Sequence, residues 1–257
     1  MGARKVALVT GSGSGVGAAT VLLLAQRGWD VVVNYSRSEQ EAHASADACR
    51  AAGADVLLRR ADVSDDAQCR GLVQATVERW GRLDALVNNA GTTLFGDAAR
   101  WEALDVAAFQ HITAVNVAGP FQMVRAAGPH LRSAKGCVVN VSSMAGISGV
   151  GSSLPYVASK GALNTLTLAL ARSMAPDVRV NAVCPGLITS RWFARGMGQE
   201  AYERTRASYE SEVPLGVSCS PEDVAEAILW LVEGARTVTG ELLMLDSGSH
   251  LGRRPRG

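Results

Sequence analysis

The chain has no surplus of either charge: 25 Lys+Arg stand against 24 Asp+Glu over 257 residues. That balance excludes a broad electrostatic attraction to nucleic acid or to an anionic membrane. Long hydrophobic runs are missing too, and no stretch reaches the ~18 apolar residues of a spanning helix. The N-terminus, Met1 to Thr10, lacks the apolar length of a signal peptide, and Val6 stands where a myristoylation signal wants Ser or Thr. Cysteine is sparse and scattered. Cys49, Cys69, Cys137, Cys184 and Cys219 are odd in number and without CxxC spacing, which speaks against a disulfide framework or a zinc site. The histidines (His43, His111, His130, His250) show no ligand spacing, so no metal is expected. A cytoplasmic protein is the expectation. The one basic run, Arg253 to Arg256, belongs to a tail over 250–257 that is expected to be flexible.

What is present is a regular alternation of short apolar runs and amphipathic stretches. Strands are expected at Val6–Thr10, Val31–Asn34, Val56–Leu58, Ala85–Val87, Cys137–Val141, Val178–Cys184 and Leu242–Leu245. Between them the spacing predicts helices at Gly15–Arg27 (ended by Gly28), Glu39–Ala52 (capped by Ser38) and Asp65–Trp80. Further helices are expected over Trp101–Leu131, Tyr156–Met174, Gln199–Glu212 and Pro221–Glu233. This alternation predicts one α/β domain, a Rossmann-type doubly wound parallel sheet of about seven strands with helices on both faces. Ligands of such sheets bind beyond the carboxyl ends of the strands.

Three stretches at those ends carry chemistry. Tyr156 and Lys160 are four apart and share a helix face. A free tyrosine holds its proton to about pH 10, and a neighbouring cation is expected to pull that value toward the working range. Ser143, thirteen residues before Tyr156, is placed to hold a substrate oxygen beside it, and Ser142 reads as structural. Between the first strand and first helix lie Gly11, Ser12, Ser14, Gly15, Val16 and Gly17, where glycines let the backbone approach a pyrophosphate at a helix N-terminus. About twenty residues on, where NAD-binding chains offer a carboxylate to the ribose, stand Tyr35, Ser36 and Arg37. Arg37 and Ser36 suit a 2′-phosphate, so NADP(H) is the preferred expectation, with NAD(H) the alternative.

The glycine spacing, TGxxxGxG from Thr10 to Gly17, resembles the short-chain dehydrogenase/reductase family, and the resemblance runs along nearly the whole chain. Asp62-Val63 is similar to the family's adenine contact, and Asn88, Asn89, Ala90 and Gly91 match its NNAG motif. Asn116 opens an NVxGxF-like run to Phe121. Ser143, Tyr156 and Lys160 match the catalytic residues in order and spacing, and Pro185, Gly186, Leu187, Ile188 and Thr189 resemble the segment that clasps the nicotinamide. The resemblance implies hydride transfer between a ketone and a secondary alcohol. Tyr156 would be the acid/base, Lys160 would hold the nicotinamide ribose, and Asn116 would anchor a water. A small alcohol, polyol or steroid dehydrogenase using NAD is the alternative; a non-catalytic dinucleotide sensor is a remote one.

Among family members the chain looks most like 3-oxoacyl-carrier-protein reductases. It departs from them at Ala134-Lys135 and Pro176-Asp177, where they tend to carry basic residues, which counts against a carrier protein and leaves room for a free small molecule. The segment from Ser190 to Leu215 is expected to cover the substrate with Trp192, Phe193, Met197 and Tyr202, while Arg191, Arg195, Arg204 and Arg206 read as a solvated face. The resemblance also implies a homotetramer, or a homodimer, with alanine-rich Gly161–Ala175 (Ala162, Ala169, Ala171) permitting close helix contact.

Overall fold

The structure, a computed structural model, describes residues 4–95, 102, 104–189, 194 and 196–254. All seven expected strands are there: β1 (Val6–Val9), β2 (Asp30–Tyr35), β3 (Val56–Arg60), β4 (Ala85–Asn88), β5 (Cys137–Val141), β6 (Arg179–Pro185) and β7 (Leu242–Leu245). They form one parallel sheet in the order β3-β2-β1-β4-β5-β6-β7. β1, β4 and β5 are buried at every position, as unbroken apolar runs require when helices cover both faces.

Alternate residues of β1 enter opposite cores. Ala7 and Val9 pack with α1 (Gly15–Gln26), α2 (Glu39–Ala51) and α9 (Pro221–Leu229). Val6 and Leu8 pack with α3 (Asp66–Trp80), α5 (Gly119–Ala134) and α7 (Leu154–Met174). Further α-helices among the described residues are α4 (Val106–Thr113), the short α6 (Ala145–Ser148) and α8 (Gln199–Glu212).

Helix ends account for the differences from expectation. α7 starts at Leu154, because Ser153 accepts from the Tyr156 amide and Pro155 sits in the first turn. Ser38 precedes α2, but its side chain makes no cap hydrogen bond. The long helix expected over 101–131 is instead α4 and α5 joined by a π-helical turn, Ala114–Ala118. The extra residue in that turn rotates Asn116 inward, and the close seat of Gly119 on Val63 follows, where a Cβ would stand 2.9 Å from Val63 Cγ2. Residues 101 and 103 lie outside the described residues. A second π turn, Trp230–Gly234, replaces the end of the last predicted helix. Within the expected tail, the His250 amide donates to Asp246 and the Arg254 amide to the Glu212 carbonyl. Among the described residues no helix is long and apolar enough to cross a membrane.

Candidate active site

β1 neighbours β2 on one side and β4 on the other, so the winding direction reverses there, and ligands of such sheets bind in the crevice at that point. The glycine loop lies at this crevice. Gly11 and Gly15 hold φ of +62° and +56°, a region closed to most side chains. A Cβ at Gly15 would meet nothing within 4 Å, whereas one at Gly17 would sit 2.5 Å from Asn89 Nδ2 and 2.6 Å from the Gly11 carbonyl. The N-cap of α1 is Ser14; it makes no side-chain cap bond, and the first turn carries no acidic residue. The first amides of α1 are thus unclaimed by a Ser14 cap, and the turn carries no carboxylate of its own, which fits a pyrophosphate.

Ser143 follows β5, while Tyr156 and Lys160 project from the first two turns of α7. Ser143 Oγ accepts from the Ala145 amide at 3.1 Å and is hydrogen-bonded to Tyr156. Burial pushes the Tyr156 phenol up to about 12, against the opposing pull of Ser143. Lys160 is only 4% exposed, and burial pushes it down to about 8. Its Nζ donates to the Val141 carbonyl at 2.7 Å and lies 5.5 Å from the centroid of the Tyr156 ring. The expected lowering of Tyr156 by Lys160 is therefore outweighed. The ammonium points to a backbone carbonyl, and desolvation acts on both groups more strongly than either acts on the other.

Gly91 closes the site from the β4 side: a Cβ there would lie 3.5 Å from Asn116 Oδ1 and 3.7 Å from Lys160 Nζ. Asn116 itself is 1% exposed. Its Oδ1 accepts from the Thr92 amide at 2.8 Å, and its Nδ2 donates to the Thr92 carbonyl and to Ser159 Oγ. The side chain expected to anchor a water is thus committed to holding the loop after β4. The segment expected to clasp the nicotinamide leaves β6 at Pro185. Gly186 N donates to the Leu245 carbonyl, and Ile188 forms a bridge with Cys219 that Thr189 N reinforces.

A family model described as enoyl-(acyl carrier protein) reductase matches residues 11–250. The ketoacyl reductase 2 of the granaticin polyketide synthase of Streptomyces violaceoruber is 45% identical, over 96% of each chain. L-fucose dehydrogenase of Bos taurus is 35% identical, over 97% of this chain and 91% of that one. A crystal structure of a short-chain dehydrogenase/reductase from Burkholderia xenovorans superposes with a TM-score of 0.91 at 39% identity, covering 98% of this chain and 100% of the other. The chain belongs to the short-chain dehydrogenase/reductase family. It is an NAD(P)-dependent oxidoreductase with a Rossmann-like fold.

Within this dehydrogenase/reductase several residues chosen from the sequence face inward. Ser12 is fully buried; its hydroxyl donates to the Val9 carbonyl and accepts from the Asn34 amide, so it shapes the loop and leaves contact to the backbone. Val63 is core, packed beneath Gly119. Asp62 spends one carboxylate oxygen on Ser64. Asn89 Nδ2 donates to the Thr10 and Gly11 carbonyls, and the Asn89 and Ala90 amides donate to Thr10 Oγ1. These bonds stitch the β1 and β4 loops together. Ser142 is structural as expected, its hydroxyl donating to Asn164 Oδ1 at 2.5 Å. Val16 is buried, and Ser14 is exposed at the crevice.

The structure also brings in residues that the sequence reading passed over. Asn34 Oδ1 accepts from the Gly11 amide, and its Nδ2 reaches the Ala61 carbonyl, joining three strand ends. Arg60 is in register with Tyr35 across β2 and β3, and its Nε donates to the Ser36 carbonyl at 3.1 Å. Tyr35 in turn donates to Glu39 at 3.2 Å, while Ser36 and Arg37 are exposed. No local pattern announces Arg60, because its relevance comes from strand pairing alone. Of the expected cover, Arg191, Trp192, Phe193 and Arg195 lie outside the described residues. Tyr202 is buried, while Arg204 and Arg206 pair with Glu200 and Glu210 along their own helix, a solvated face. Ala171 faces the core, so it is not part of an exposed alanine surface.

Proposed function

We propose that the protein interconverts a ketone and a secondary alcohol, in the manner of a 3-oxoacyl reductase, with NADP(H) as cofactor. The observation that carries this reading is the hydrogen-bonded Ser143 and Tyr156 with buried Lys160 below the phenol ring, on the same sheet whose first strand leads into the uncapped N-terminus of α1. The nicotinamide supplies or accepts the hydride. In the reduction direction Ser143 Oγ holds the carbonyl oxygen, and Tyr156 gives its phenolic proton to that oxygen as the alkoxide develops. Burial raises the Tyr156 phenol, so it carries its proton at neutral pH before hydride arrives. Lys160 keeps positive charge close to the phenolate left behind, and Gly91 leaves room for it to reach the nicotinamide ribose. Asn116 holds Thr92 and so the shape of the wall opposite.

Arg37 together with Arg60 supports the 2′-phosphate of NADP(H), since guanidinium groups match phosphate oxygens. The Glu39 carboxylate beside Tyr35 favours a second reading, an NAD-dependent dehydrogenase of a small alcohol or polyol. Titration with NADPH and NADH separates the two: the first reading requires tighter NADPH, the second tighter NADH. A free ketone or β-keto ester fits better than a carrier-bound substrate, because Ala134-Lys135 and Pro176-Asp177 offer little to an acidic partner. Assembly into two or four copies belongs to the same reading, as Phe109, Phe121 and Leu168 stay 43–48% exposed on α4, α5 and α7. Tyr156→Phe tests the chemistry. Turnover should fall by about 10²–10⁴-fold with NADPH binding retained, and unchanged turnover would sink the assignment.

A further inference from the structure

Tyr209, near the end of α8, lies in the segment expected to cover the substrate but is not among the side chains expected to do so. Its hydroxyl donates to the Asp246 carbonyl at the end of β7, 2.7 Å away, and is also hydrogen-bonded by the main chain of Leu187. Gly186 lies directly against it: a Cβ there would stand 2.4 Å from the Tyr209 hydroxyl and 3.1 Å from Asp246 Cα. One phenolic oxygen therefore joins the middle of the clasp, the end of the last strand and the helix that follows the clasp. Burial, with the Asp246 charge adding, pushes this phenol up to about 12 against the Leu187 bond, so it stays a donor across the neutral range.

Apart from Tyr209, α8 is seated mainly at its C-terminal end, where Glu212 accepts from the Arg254 amide and pairs with Arg253. Tyr202 is its one buried residue. Its arginines pair with glutamates on the same helix, and beyond Tyr209 a Ser218–Glu210 hydrogen bond ties it to the segment ahead of α9. Among the described residues the clasp is also fastened by main-chain bonds, Met144 N to Pro185, Gly186 N to Leu245, Cys219 N to Leu187 and Thr189 N to Cys219, and by the Thr189 hydroxyl donating to the Cys219 carbonyl.

We propose that Tyr209 is a positioning residue: by tying α8 to the clasp, its hydroxyl holds Gly186 to Thr189 in the shape that grips the dinucleotide. This rests on the reading that residues 185–189 clasp the nicotinamide. The variant is Tyr209→Phe, which keeps the ring and removes only the oxygen. In the full-length protein without nucleotide, hydrogen exchange at the Thr189 amide, which bonds to Cys219 and not to Tyr209, should quicken by about tenfold while β1 and β4 keep their protection. The NADPH dissociation constant, read by fluorescence titration, should rise by about three- to tenfold. With ethyl acetoacetate the loss should fall on KM for NADPH, with kcat nearly unchanged. Leu72→Val, a core change in α3 in the cluster on the other side of the sheet from Ile188, is the control for lost stability and should leave both constants alone. The proposal is overturned if Thr189 exchanges at the wild-type rate, or if Leu72→Val raises KM as much. A wild-type protein that neither binds nor oxidises NADPH or NADH would defeat the functional reading, and Thr189 exchange would still decide the role of Tyr209.

Discussion

Lys160 is buried where its charge is costly, which makes it a residue kept for something other than stability. Its folded value near 8 lies below the 10.5 of an exposed lysine, so between those pH values the unfolded chain binds more protons than the folded one. The Lys160 contribution to stability therefore improves as pH rises from 8 to 10.5. It stands at its full penalty below 8, about 3 kcal/mol at ~1.4 kcal/mol per unit. Cys49, Cys69, Cys137 and Cys184, each pushed up to about 11 by burial, act in the opposite sense above pH 9. Comparing Lys160→Met with wild type cancels that shared background. Urea unfolding at pH 7 should show the variant as the more stable of the two, and the gap should close toward pH 10. Activity should be lost at both. A variant less stable than wild type at pH 7 would mean that the bond to Val141 outweighs desolvation. At this scale the choice of Ser143 over Ser142 was legible from the thirteen-residue spacing. The direction of the Tyr156 shift was not, because it depends on how deeply α7 buries the phenol.

Two elements govern the nucleotide in the proposed reading. The glycine loop tolerates no side chain at Gly17, where a Cβ would overlap Asn89, the Gly11 carbonyl and Ser12 Cα. Gly17→Ala should cost about 1–3 kcal/mol of stability and abolish NADPH binding, measured by unfolding and by titration. Gly15 differs, since open space surrounds it and backbone conformation is the reason for glycine there. The spacing TGxxxGxG revealed that a tight turn was needed, yet only the packed loop tells these two glycines apart. At the paired ends of β2 and β3, Arg60→Ala should weaken NADPH binding by about tenfold with NADH unaffected, as expected when a charge-assisted bond to phosphate is lost. Equal effects on both nucleotides would remove Arg60 from the 2′-phosphate site. Arg37 was legible because it follows β2 directly. Arg60 was hidden because register, a property of two strands together, places it.

For the whole molecule the proposed nucleotide site draws on the ends of β1, β2, β4, β5 and β6, so the nucleotide would be a ligand of the folded state alone. Saturation at ~100 times the dissociation constant should add about 2.7 kcal/mol. For a chain of this size that is roughly 5–10 °C in Tm. A thermal scan with NADPH and NADH should show the larger rise with NADPH; the reverse order would favour the NAD-dependent reading. The same scan on Tyr156→Phe should retain the shift, because that variant removes a proton donor and leaves the cradle intact.

The sequence by itself determined the alternation of strands and helices, the parallel sheet, and the order of Gly11, Asn116, Ser143, Tyr156 and Lys160 along the chain. These follow from local periodicity, from turn chemistry and from fixed spacings within single elements. Only the tertiary structure decided which side chains face the crevice and which are spent on holding it. Ser12, Val63 and the Asn116 amide turned inward, and Arg60 and Tyr209 arrived from distant segments. Those outcomes depend on strand register, on a π turn and on burial, which arise when elements meet and leave no mark on any one stretch of sequence.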